Sequence, residues 1–135
     1  MDTPYGILIK KAYEAREKAY SPYSSFKVGA AIMCADESIY TGCNIENASY
    51  GATCCAEKTA FFEAVKNGYK KFKAISIVGG KNGNIESNCY PCGICRQVMS
   101  EFCSKDFKIV LYNGTEEKIC RLDELLPYSF SGDML

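Results

Sequence analysis

The chain has 135 residues, of which 47% are hydrophobic and 24% charged, the size and balance of one globular domain around one core. Sixteen Lys plus Arg against sixteen Asp plus Glu leave no net charge, which argues against a protein that grips a nucleic-acid backbone through a basic surplus. No apolar stretch approaches the ~18 residues needed to span a bilayer, and Met1-Asp2-Thr3-Pro4 lacks the basic and apolar runs of a secretory signal, so a cytoplasmic location is expected.

Thr3-Pro4 reads as an N-cap followed by proline at the first helical position, and Leu8, Ala12, Ala15 and Ala19 space a helix to about Tyr20, ended by Ser21-Pro22. A strand is expected from Phe26 to Ala35, with Val28, Ala30 and Ile32 alternating until the period breaks. A turn at Asp36-Glu37-Ser38 leads to a second strand through Tyr40. The next helix covers 54–66, with Ala56, Ala60, Phe61, Ala64 and Val65 on its apolar face and Asn67-Gly68 as its stop. Ala74 to Val78 is a nearly continuous apolar run, the pattern of a strand buried on both faces. Gly79-Gly80 and Asn82-Gly83-Asn84 read as a loop, and Lys70, Lys71 and Lys73 as solvated surface. Pro91 opens a third helix over 92–103, and Ile109 to Tyr112 forms a strand. Asn113-Gly114 turns the chain into a short segment near Ile119, and Leu122 to Leu126 forms a last helical turn before Pro127. Neither a repeat nor a linker divides residues 1–135, so one domain is expected. The alternation of strands and helices predicts an α/β protein, a three-layer α/β/α sandwich with one mixed, roughly five-stranded sheet.

Nine cysteines in a chain expected in a reducing compartment point to metal binding or catalysis rather than to a disulfide framework. The informative spacing is Cys55-Ala56-Glu57, then Pro91-Cys92-Gly93-Ile94-Cys95. Cys92 and Cys95 are three apart in the first turn of one expected helix, and Cys55 lies at the start of another. Free backbone N–H groups and the helix dipole favour thiolates at both places. Three thiolates leave the fourth tetrahedral position of a zinc ion open to water, as in catalytic sites. Glu57, beside such a metal and not bound to it, has the chemistry of a proton carrier. On an ideal helix, however, positions i and i+2 point apart, so Cys55 and Glu57 can meet only if the first turn departs from that geometry.

Other readings compete for these cysteines. Cys89, Cys92 and Cys95 form a C-x2-C-x2-C run like the opening of a bacterial ferredoxin motif. The fourth cysteine that motif wants is replaced by Met99, and Cys103 is too far along. Cys34, Cys43, Cys54, Cys89, Cys103 and Cys120 then read as small apolar residues. A zinc- or iron–sulfur-binding interaction module without catalysis is the non-enzymatic alternative, and Glu57 in register with Cys55 speaks against it.

The pairing of C-A-E with P-C-x2-C resembles the signature of zinc-dependent nucleobase deaminases, with Cys in place of the more common first His. Over almost its full length the chain resembles the small, homotetrameric cytidine deaminases, through SPYSSFKVGAA (21–31), TGCNIENASYG (41–51), CAEKTAFFEAV (55–65), PCGICRQV (91–98) and LLPYSF (125–130). The resemblance implies one Zn2+ per chain on Cys55, Cys92 and Cys95, with Glu57 as the proton shuttle. It implies hydrolytic deamination of cytidine and 2′-deoxycytidine to the uridines plus ammonia, a step of pyrimidine salvage. Asn44 and Glu46 correspond to a ribose-binding segment, Phe26 to an aromatic packing on the pyrimidine, and Ala56 to a further substrate contact. Ala48 and Tyr50 correspond to positions closing the sugar end, and Phe130 to an aromatic reaching another subunit's site in a homotetramer. No nucleic-acid or membrane partner is implied.

The family commonly has Arg after the Glu as well as after the last Cys, to offset thiolate charge. Here Arg96 is present but position 58 is Lys58, which keeps the charge without the planar fork of donors. A deaminase of a modified cytosine nucleoside, such as a nucleoside antibiotic, is the alternative within the same fold. A polynucleotide deaminase is disfavoured by the neutral charge.

Overall fold

The computed structural model describes residues 4–135. Helix α1 (Gly6–Ala15) continues into a 3-10 turn over Arg16–Lys18. Strands β1 (Phe26–Cys34) and β2 (Ile39–Cys43) follow, then helix α2 (Ala56–Lys66), strand β3 (Phe72–Lys81), helix α3 (Gly93–Phe102), strands β4 (Lys108–Tyr112) and β5 (Glu117–Arg121), and the single turn α4 (Leu122–Leu125). The strands form one sheet in the order β2-β1-β3-β4-β5. β1 runs antiparallel to β2 and β3, β3 parallel to β4, and β4 antiparallel to β5, so the sheet is mixed. The one parallel pair is joined through α3, as a parallel crossover requires.

Side chains alternate between two cores. Val28, Ala30 and Ile32 of β1, Ile75 and Ile77 of β3, and Ile109 and Leu111 of β4 pack on the face covered by α2 and α3. Ala31 and Met33, Ala74 and Val78, and Val110 pack with Leu8, Ile9 and Ala12 of α1 on the other. The expected α/β/α layering follows directly. The period of β1 fades after Ile32 because both of its faces are covered, so alternation between apolar and polar has no role there. Phe61 anchors the α2 side, its ring centroid 5.2 Å from Phe72, 6.1 Å from Phe102 and 6.2 Å from Phe107.

Several boundaries differ from expectation. The N-cap expected at Thr3 lies outside the described residues, and Pro4 and Tyr5 form a turn before α1. The α-helix stops at Ala15 rather than near Tyr20. Ala19 is extended, and Tyr20 pairs with the strand end beyond β2, its N–H donating to Asn44 O (2.9 Å) while its O accepts from Glu46 N–H (2.8 Å). β2 runs on to Cys43. Gly79 and Gly80, expected in a loop, belong to β3, where they pair with Val28 and Lys27 of β1.

Two glycines set how closely the helices sit on the sheet. A Cβ at Gly29 would lie 2.0 Å from Ala12 O in α1, and one at Gly42 would lie 2.2 Å from Thr59 Oγ1 and 2.4 Å from Ala60 N in α2. Gly42 therefore fixes the seat of the helix that carries Cys55 and Glu57 at its start. Among the described residues no helix is long and apolar enough to cross a membrane.

Candidate active site

Cys55 is the N-cap of α2 and Cys92 the N-cap of α3, both with extended backbone (φ −69°, ψ 153° and φ −70°, ψ 168°). Neither thiol makes a side-chain cap bond to its own helix, which leaves both free to turn toward each other. Cys95 is the third residue of α3. Cys55 Sγ and Cys92 Sγ are 3.7 Å apart, and the three Sγ atoms all lie within 4.8 Å of one another, the only such donor group among the described residues. Because Cys55 precedes the helix proper, the awkward i, i+2 angle to Glu57 never arises: the extended residue sets its own side-chain direction.

The donor set suits zinc. Tetrahedral Zn–S bonds of ~2.3 Å place neighbouring sulfurs about 3.8 Å apart, and the Cys55–Cys92 separation meets that without rearrangement. Two helix N-termini converge there and favour anionic ligands. Cys89 is not in the group, so the three cysteines of the ferredoxin-like run do not act together. All nine cysteines are free, and Cys34 and Cys120 are buried in the α2-side core, as apolar residues would be.

Protons in the cluster are unevenly held. The hydrogen bond from the Cys95 thiol is the main influence lowering Cys55, to about 6, with burial opposing and Cys92 and Lys58 assisting. Cys95 is correspondingly raised, first by that same bond and then by burial. The shared hydrogen bond thus favours the thiolate on Cys55 and the thiol on Cys95. Glu57 is only 5% exposed. Burial raises its pKa to about 7, the Cys55 charge adding to the rise while its own backbone N–H, the Cys95 thiol and Lys58 oppose it. A carboxyl poised near neutrality can both accept and give a proton.

A second cluster lies where the sugar-binding segment was expected. Asn44 is buried, its Oδ1 accepting Val28 N–H (2.9 Å) and its Nδ2 donating to Phe26 O (2.7 Å). Glu46 accepts from Tyr23 N–H (3.0 Å) and Ser24 N–H (3.1 Å), and from the Ser24 hydroxyl, which together hold its pKa below the usual carboxylate range. Phe26, at the start of β1, is 38% exposed and so presents much of its ring to solvent. A cavity of about 370 Å³ is lined by Tyr23, Ser24, Glu46, Asn47, Tyr50 and Thr53. Ser24, Tyr23, Asn47 and Thr53 were not anticipated. Tyr23, Ser24 and Asn47 lie in stretches that carry the family resemblance, but a Ser-rich turn and a polar loop by themselves point to local backbone bonding rather than to a site.

The remaining expected residues are placed less centrally. Tyr50 is 78% exposed, its ring edge-on to Tyr23 at 6.5 Å, and Ala48 is exposed on the same loop. Ala56 is fully buried in the core, so only its backbone is available to a ligand. Phe130 is exposed, with its backbone O accepting from Gln97 Nε2 of α3 (2.8 Å). Arg96 donates from Nε to Pro91 O (2.8 Å) and from Nη1 to Leu125 O (2.7 Å), tying the start of α3 to α4. The charge of Lys58 lowers the Cys55 thiol as well, after the larger effects of Cys95, burial and Cys92.

Residues 5–111 match the family model for the cytidine and deoxycytidylate deaminase zinc-binding region. The chain is 47% identical to a cytidine deaminase of Sporosarcina psychrophila over 130 residues, 95% of this chain and 92% of that one. It is equally similar, at 47% over 129 residues and 94% of each chain, to a cytidine deaminase of Halalkalibacterium halodurans. The crystal structure of a cytidine deaminase from Burkholderia pseudomallei superposes with a TM-score of 0.86 at 44% identity, covering 95% of this chain and all of that one. With a mixed five-stranded sheet, three convergent thiols and these relatives, the chain belongs to the zinc-dependent cytidine deaminase family and is an enzyme of that class.

Proposed function

We propose that the whole chain acts as one catalytic domain that hydrolyses the free nucleosides cytidine and 2′-deoxycytidine to the corresponding uridines and ammonia, in pyrimidine salvage in the cytoplasm. The observation that carries the reading is Glu57, nearly excluded from water and held near neutrality beside three thiols within 4.8 Å of one another.

Cys55, Cys92 and Cys95 would hold the zinc, which when bound makes a water molecule available as a nucleophile near neutral pH. Glu57 takes the proton of the attacking water and delivers it to the ring nitrogen beside the reacting carbon. It then carries the second proton to the departing amino group, so that water and the amine exchange with no net proton change. Burial favours the protonated form of Glu57, which lets the carboxyl regain as well as give up a proton. Phe26 offers its exposed ring to the pyrimidine, Glu46 lines the cavity for the sugar, and buried Asn44, tied to Val28 and Phe26, keeps one Nδ2 hydrogen for a sugar hydroxyl. Lys58 contributes positive charge at Cys55, while Arg96 secures the loop before α3.

The cavity beside Glu46 favours a nucleoside over its 5′-phosphate. Its described lining carries one carboxylate and no Lys or Arg, so a phosphate dianion would meet like charge with no cation to receive it. Exposed Tyr50, Phe130 and Tyr128 are aromatics that copies of the chain would cover, in keeping with a homotetramer whose sites are shared. Cytidine, 2′-deoxycytidine, their 5′-monophosphates and a base-modified cytosine nucleoside, assayed side by side, test the substrate. The two nucleosides should be turned over with kcat/KM at least ~100-fold above the monophosphates. Preference for a monophosphate or for the modified nucleoside would contradict the reading.

A further inference from the structure

The peptide groups on both sides of Phe26 are tied to side chains. Phe26 O accepts from Asn44 Nδ2 at 2.7 Å, and Phe26 N–H donates to Ser24 Oγ at 3.0 Å. The same Ser24 hydroxyl gives its own hydrogen to Glu46 Oε2, while Ser24 N–H and Tyr23 N–H bond Glu46 Oε1. One hydroxyl therefore bridges the carboxylate at the sugar end and the backbone of the aromatic at the base end. The bridge needs an unusual backbone. Ser25 adopts φ 59°, in the left-handed region, and this turn folds Phe26 N–H back over Ser24. The conformation is held from both sides, by Ser25 N–H donating to Ser21 O (3.0 Å) and Asn82 N–H donating to Ser25 O (2.6 Å). Ser24 is itself exposed and lines the cavity beside Glu46, so a structural role in a core does not account for it.

We infer that Ser24 is a positioning residue, whose hydroxyl orients Glu46 toward the sugar hydroxyls and at the same time fixes Phe26 for the base. The inference rests on the nucleoside reading above and adds to it the link between the two halves of substrate recognition. With its single hydrogen committed to Oε2, the hydroxyl settles which carboxylate lone pairs remain for the ligand. Removing it leaves Glu46 Oε2 and Phe26 N–H to find water instead, while the two backbone N–H groups still hold Oε1. The loss falls on binding, because neither group touches the atoms that react.

Steady-state kinetics of wild type, Ser24→Ala and Ser24→Thr on cytidine and on 2′,3′-dideoxycytidine test this, with circular dichroism confirming that each variant is folded. S24A should raise KM for cytidine about tenfold, the effect of losing a hydrogen bond to a charged group, with kcat changed less than about threefold. S24T, which keeps the hydroxyl, should restore most of the loss. The rise should be clearly smaller on the dideoxy substrate, which has no sugar hydroxyls for Glu46 to receive. An unchanged KM, a fall confined to kcat, equal rises on both substrates, or a folded S24T that behaves like S24A would each overturn the assignment. Absence of cytidine turnover in the wild type would instead overturn the nucleoside reading beneath it.

Discussion

Glu57 occupies the second position of α2, where the sequence puts a carboxylate two residues after a metal ligand and the fold then removes it from water. Its raised pKa is chiefly a consequence of burial, so its readiness to exchange protons is built by the packing of α2 rather than by a single partner. Glu57→Gln keeps the shape and removes the titration. The variant should retain zinc, because the thiols are untouched, and lose turnover by at least ~100-fold, the scale of general acid–base catalysis. Metal content and initial rate on one preparation check this, and substantial residual deamination would contradict the role. The meeting of the three cysteines was legible from spacing, because thiols three apart at one helix start can share a ligand-sized space with a third at another helix start. Ser24 was not legible, since its function depends on the left-handed turn at Ser25 and on Glu46 lying opposite, neither of which a run of serines specifies.

At the scale of elements, the site depends on how α2 and α3 end their helical geometry. Cys55 and Cys92 are useful because they are caps with extended backbone, one residue outside the regular helix. The contact of α2 with β2 at Gly42 then decides where Cys55 stands. Gly42→Ala inserts a methyl group into the space now held by Thr59 Oγ1 and Ala60 N, and overpacking of this kind costs about 1–3 kcal/mol. The expected outcome is a lower denaturant midpoint together with weaker zinc retention under a chelator. Gly132→Ala, at a position with nothing within 4 Å, should change neither. Equal zinc retention in G42A and wild type would show that the seat of α2 does not govern the cluster. Helix existence was clear from the apolar spacing. The early end of α1 was not, because Ala19 keeps the helical period while Tyr20 is claimed by backbone pairing with residues 44 and 46, a long-range competitor invisible to a local pattern.

Over the whole molecule, a sheet covered on both faces gives the site its rigidity. The strand pairs β1–β2 and β1–β3 hold Phe26 and Asn44 at one sheet end, while α2 and α3, packed on the same face through Phe61, Phe102 and Met99, bring the three thiols to a common point. The layer order was readable from the alternation of elements and from the buried run at 74–78. The true length of β3 was hidden, because two adjacent glycines read as a loop until β1 supplies their partners. The residues proposed to meet base, sugar and metal lie on different elements, so no single motif carries all three. The most direct test is loss of ultraviolet absorbance when the purified chain is mixed with cytidine, with zinc measured on the same sample. Conversion to uridine is expected from protein holding about one zinc per chain, as three thiolates with one open position imply. Zinc-loaded, folded protein that leaves cytidine unchanged would contradict it.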